Sequence, residues 1–161
     1  MAGVAYLAPY GVGLGHASRL LMIADHLKQQ GTDVRFSSYG EAASYVSLRG
    51  YNCATVSPVE FAWSMEGGFS VKDSLANIPI WFANFSRQVN QETRNILLCN
   101  PDVVVSDSRL SPLVAAKLLK VRSVVVLNQI KLLLSPRLRD LTVSRITHMC
   151  IAGIHTAVQE L

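Results

Sequence analysis

The chain has 161 residues, of which half are hydrophobic and 16% charged, with a formal net charge of +4. That length and apolar content suit one folded domain with a sizeable core and exclude a disordered chain. No apolar run reaches the roughly 18 residues needed to span a bilayer. The opening MAGVAYLAPYGVG has no basic leader and is too glycine-rich for a signal peptide, so a cytoplasmic protein is expected.

The predicted elements alternate. Residues 3–8 (GVAYLA) form a short apolar stretch ending at Pro9 and suit a buried strand. A glycine-bearing turn follows, and then Leu20, Ile23, Ala24 and Leu27 fall on one helical face, with Gly31 as the stop. Residues 33–38 read as a second strand, 41–49 as a short helix stopped by Gly50, and 53–56 as a third strand. Residues 58–70 (PVEFAWSMEGGFS) hold three aromatics and two adjacent glycines with no clean period, as a long functional loop would. Residues 71–77 suit one or two helical turns. Residues 79–98 read as a long helix with Phe82, Phe85, Val89 and Ile96 roughly on one face. DVVVSD (102–107) and SVVVLN (123–128) read as buried strands flanking a helix at 111–119, and 136–161 is mostly helical in pattern. The pattern predicts an α/β fold, a doubly wound, Rossmann-like parallel sheet between two helical layers, with strand order 3-2-1-4-5 in a single domain over 1–161.

Charge is unevenly placed. From Arg109 onward there are eight Lys/Arg and two Asp/Glu, a balance of +6; the residues before it carry seven basic and nine acidic groups, a balance of −2. The basic end can face phosphates or make a peripheral contact with an anionic membrane. A solvated helix face is the plainer alternative. Nucleic acid is not expected as a partner, because the basic residues are not interleaved with aromatics for base stacking. The three cysteines, Cys53, Cys99 and Cys150, show no metal-ligand spacing and no disulfide frame, and read as buried small hydrophobes.

Chemistry concentrates in YGVGLGHASR (10–19). Gly11, Gly13 and Gly15 give G-x-G-x-G. The dinucleotide fingerprint would need a third glycine where His16 stands and an acid ending the second strand, which instead ends Phe36-Ser37-Ser38-Tyr39. A dinucleotide site is therefore not expected, and neither a nucleophile elbow nor a metal motif is present. Glycines let backbone approach a bulky or anionic group, and the following helix start suits phosphate. In the predicted strand order the first and fourth strands are neighbours. His16 and Asp107 then sit on opposite lips of one cleft at the topological switch point, an arrangement in which a carboxylate orients an imidazole base. Taken singly, His16 can instead cap its helix and contact a ligand phosphate, and Asp107 can accept backbone N–H bonds and cap the helix near Ser111.

A strand, then G-x-G-x-G-H-x-x-R opening a helix, then a strand ending V-V-V-S-D resembles the N-terminal half of GT-B glycosyltransferases. It is most similar to the relatives of the bacterial lipid-linked N-acetylglucosaminyltransferase and the UDP-glycosyltransferase-like proteins. The resemblance implies an acceptor-binding domain in which Gly11, Gly13, Gly15 and Arg19 lie near the donor diphosphate. It also implies that His16 is the general base of an inverting transfer and that Asp107 is its orienting partner. The family's acceptor lid corresponds to 58–70, with Phe61, Trp63 and Phe69. The implied substrates are a nucleotide sugar, UDP-linked in this group, and a hydroxyl acceptor, with no further cofactor and no metal. The donor is held mainly by a second domain, expected in a longer chain or a partner chain, so that this stretch alone is not expected to transfer sugar. The other readings are a non-catalytic nucleotide- or phosphate-binding module, one subunit of a split transferase, and an epimerase of the same architecture.

Overall fold

The computed structural model describes residues 3–59 and 78–126. The strands are β1 (Val4–Pro9), β2 (Asp33–Ser38), β3 (Cys53–Thr55), β4 (Val103–Asp107) and β5 (Arg122–Val126). The helices are α1 (Leu14–Gln29), α2 (Gly40–Leu48), α3 (Ile78–Cys99) and α4 (Ser111–Leu118). All strand pairs are parallel, in the order β3-β2-β1-β4-β5, as the alternation predicts. The predicted lid with Phe61, Trp63 and Phe69, the turns at 71–77 and the later basic residues Lys131, Arg137, Arg139 and Arg145 fall outside the described residues, whereas Arg109, where the basic stretch begins, is buried and so does not belong to a surface that faces phosphates or lipid.

Strand side chains alternate between two cores, which is why the strands read as continuous apolar runs. Leu7, Phe36 and Val105 pack with Leu20, Leu21, Ala24, Ala42 and Val46 of α1 and α2. Tyr6, Ala8 and Val104 point the other way, against Ile96 of α3 and Ala115 and Ala116 of α4. Helix α1 stops as predicted: the amides of Gly31 and Thr32 return to the carbonyls of Lys28 and Leu27, at 3.0 Å each.

Two expectations need correction. The buried stripe of α3 is Gln88, Glu92 and Ile96, whereas Phe82 is exposed. An i, i+4, i+8 row containing a carboxylate can face inward only if polar partners wait beneath it, and here they do. Strand β5 is only half-buried, with Val124 51% exposed, because it is the last strand of the described sheet and has a neighbour on one side only.

Burial also governs two weak acids, the buried Tyr6 and Cys53, which like Cys99 is half-buried rather than fully buried as expected. The Cys53 thiol is pushed from 9.0 up to about 11 by desolvation. The Tyr6 phenol is pushed well up as well, first by burial and then by the Glu92 carboxylate. In both cases the folded state favours the neutral form, so the unfolded chain ionises first as pH rises. The stability these groups contribute is complete below about pH 9 and falls as pH climbs through the raised folded values. Urea midpoints should therefore drop between about pH 9 and about pH 11. A flat profile across that window would contradict the burial of both groups.

Candidate functional site

The carboxyl ends of β1 and β4 lie side by side, with Pro9 in register with Asp107. From this point α1 and α2 leave along one side of the sheet order and α4 along the other, so a crevice is expected here. The turn after β1 is shaped by two glycines with different tasks. Gly13, the residue before α1, has φ 77°, a backbone region that disfavours side chains. Gly11 is a close approach: a Cβ there would sit 2.2 Å from the Tyr39 ring. At Gly15, the second residue of α1, nothing lies within 4 Å of an added Cβ, so the start of the helix is open on that side. The start of α1 carries no acidic residue and no side-chain cap, so its free amides remain available to an anion.

His16 is the third residue of α1. It does not cap the helix, since no side-chain cap bond is made there. Its Nδ1 lies 2.8 Å from Oδ1 of Asp107, which is completely buried, while the imidazole side chain remains 21% exposed. A carboxylate can only accept, so the proton of that bond sits on Nδ1 and the lone pair is left on Nε2. Asp107 does not cap α4 either: Leu110 precedes that helix, again without a side-chain cap bond. The same carboxylate accepts from the Ser108 hydroxyl at 3.1 Å and forms an ion pair with Arg19 Nε, 2.9 Å from Oδ2. An Arg19 terminal nitrogen also lies 3.4 Å from His16 Nδ1. Arg19, implied as a diphosphate contact, is thus tied to the dyad, one helical turn beyond His16.

The turn carrying Asp107 is held on every side. Ser106 Oγ donates to the Arg109 carbonyl at 2.6 Å, and the Ser108 amide donates to the Val126 carbonyl at 3.1 Å. Ser108 has φ 59°, a left-handed conformation that costs a non-glycine residue about 1–2 kcal/mol. Such strain persists only where the surroundings fix it. On the opposite lip, Tyr10 sets its ring edge-on to His16, with centroids 5.7 Å apart, and edge-on to Tyr39 at 5.8 Å.

Beneath this site lies a polar cluster that periodicity alone does not reveal. Glu92 accepts from the Tyr6 hydroxyl at 2.5 Å and from Ser37 Oγ at 2.9 Å, and is ion-paired with Arg109. Arg109 also donates to the Ser37 carbonyl at 2.8 Å, and Ser111 donates to Gln88. One signal was available: Gln88 and Glu92 stand four apart in a helix whose other side carries Phe82, an arrangement that a solvated polar face would not require. Tyr10 and Tyr39, each next to a turn glycine, were also within reach of such a reading.

Residues 5–141, most of the chain, match the model of Glycosyl transferase family 1. An uncharacterized glycosyltransferase of Methanosarcina acetivorans is 30% identical over 116 residues, which is 69% of this chain and 28% of that protein. The chain thus spans about three-tenths of the length of the curated relatives it matches. Among solved structures, the glycosyltransferase SsfS6 of Streptomyces sp. SF2575 superposes with a TM-score of 0.59 at 16% identity, covering 78% of this chain and 39% of that one. MurG of Acinetobacter baumannii gives 0.58 at 14% identity, over 78% of this chain and 35% of that one. At such identities these two show the fold, which is that of the GT-B neighbours. No helix among the described residues is long and apolar enough to cross a membrane. The match over residues 5–141, on a sheet whose neighbouring β1 and β4 ends bring His16 and Asp107 into contact, places this chain in glycosyl transferase family 1.

Proposed function

We propose that the chain is the acceptor-binding part of an inverting, nucleotide-sugar-dependent glycosyltransferase, with a UDP-sugar as donor and His16 as general base. The observation that supports this most is the 2.8 Å contact of His16 Nδ1 with the buried Asp107 at the mouth of the open glycine turn. Nε2 of His16 takes the proton of an acceptor hydroxyl as that oxygen attacks the anomeric carbon. The bond from that carbon to the diphosphate breaks on the opposite face, and the configuration inverts. Asp107 holds the ring and stabilises the imidazolium that forms. The free amides at the start of α1 and the open backbone at Gly15 suit the negative charge that develops on the leaving group. The donor nucleoside is held mainly by a second domain of the full-length protein. In this reading Phe61, Trp63 and Phe69 meet the acceptor, and the basic residues after Arg109 bring the protein to anionic lipid.

The test is transfer by the full-length protein from UDP-sugars to a panel of hydroxyl acceptors, with the anomeric configuration of the product read by NMR. Inversion is the expected result. Retention would remove His16 from the role of base. UDP binding without transfer to any acceptor would favour the non-catalytic nucleotide-binding module, for which the uncapped start of α1 is equally suited.

A further inference from the structure

Arg109 is buried to 4% exposure, yet no step of the proposed transfer uses it. Its neutralisation of Glu92 alone does not require its other contacts. Its backbone carbonyl closes the turn that holds Asp107, by accepting from Ser106 Oγ at 2.6 Å. Its guanidinium leaves that turn and crosses to β2, donating to the Ser37 carbonyl at 2.8 Å. There it also lies over the Tyr39 ring, 5.7 Å from the centroid, within cation–π range. Tyr39 is buried, and its ring lies so close to Gly11 that no Cβ fits between them. Tyr39 also meets Tyr10 edge-on, and Tyr10 meets His16 edge-on. One side chain is therefore rooted in the Asp107 turn and rests on the stack that supports the His16 lip.

We propose that Arg109 is a positioning residue that ties these two lips together and sets the His16–Asp107 separation. This rests on reading His16 and Asp107 as a working pair. Glu92 aims the guanidinium from below, through the ion pair and through Ser37, which bonds to both. A lysine at 109 would keep the charge for Glu92. It lacks the planar fork that can reach Glu92, Ser37 and the Tyr39 face together.

The test follows the proton between His16 Nδ1 and Asp107, which should resonate far downfield in the proton NMR spectrum and be assigned by its loss in His16→Gln. Arg109→Lys should melt close to the wild type yet broaden or lose that resonance. It should also lower kcat by about 10- to 100-fold, with donor KM changed less than about threefold, as expected for misplacement of a reacting group. Tyr39→Leu approaches from the other lip, leaves the Glu92–Arg109 pair in place and should produce the same spectral loss. An unshifted, sharp resonance in both folded variants would overturn the proposal and leave Arg109 as the counter-ion of Glu92. If Arg109→Lys does not fold, Tyr39→Leu decides alone. If the protein transfers no sugar, the functional reading fails, and the resonance still decides whether Arg109 positions the pair.

Discussion

Replacing His16 with alanine in the full-length protein is expected to lower kcat by about 10²–10⁴-fold, the usual contribution of a positioned general base. Donor affinity should change little, because the proposed donor site lies mainly on another domain. The fold should tolerate the change, since Asp107 keeps Ser108 and Arg19 as partners when the imidazole is gone. Asp107→Asn should cost less than His16→Ala, because the imidazole remains in place, although it is held less well and its protonated form is less stabilised. In the His16→Ala background the Asp107→Asn loss should largely disappear, as a partner acting through the histidine has nothing left to act on. Steady-state kinetics of the four proteins completes the cycle. Additive losses would separate the two residues, and full activity in His16→Ala would leave the imidazole as a simple wall of the crevice.

The second large effect is on stability. Glu92→Leu should destabilise the protein by about 3–5 kcal/mol, because Arg109 is left as a buried charge without its counter-ion. The Tyr6 and Ser37 hydroxyls lose their acceptor in the same step. For a chain of this size the melting temperature should fall by roughly 10 °C. Glu92→Leu combined with Arg109→Met should recover much of that loss, since an apolar pair of similar volume carries no desolvation penalty. Urea unfolding of the single and double variants measures both effects. A single-variant loss below about 1 kcal/mol would show that the cluster relaxes to let water in.

Much of this architecture was legible in the residues. The V-V-V runs and the glycine stops mark strands and turns through local chemistry, and the switch of direction beside β1 follows from the alternation. That topology was sufficient to bring His16 and Asp107, 91 residues apart, to one crevice. The helix at α3 and its buried Ile96 follow from the sequence, but its inward face does not, because an apolar-inside rule cannot recognise a buried carboxylate. The partners of Glu92 come from β1, β2 and the turn after β4, so the spacing of Gln88 and Glu92 within α3 does not identify them. Arg19 was assigned by resemblance to the diphosphate, although its place one turn beyond His16 already put the two on one helix face. The pairing of both with a single carboxylate needs the third dimension.

The pairing of β1 with β4 has a consequence for the order in which the protein comes into being. During synthesis the glycine turn and His16 leave the ribosome well before β4 has been made. Strands β1 and β2 can pair across about 30 residues, but β1 and β4 must close across nearly a hundred. Until that closure one edge of β1 lies open, Tyr6 lacks Glu92, and the imidazole has no carboxylate to orient it. The entropy of closing so long a segment grows only slowly with its length, but it must be met before any contact of the second core repays it. The crevice is thus assembled in the same event that seals the centre of the sheet, and a nascent chain cannot hold a finished site on an unfinished fold.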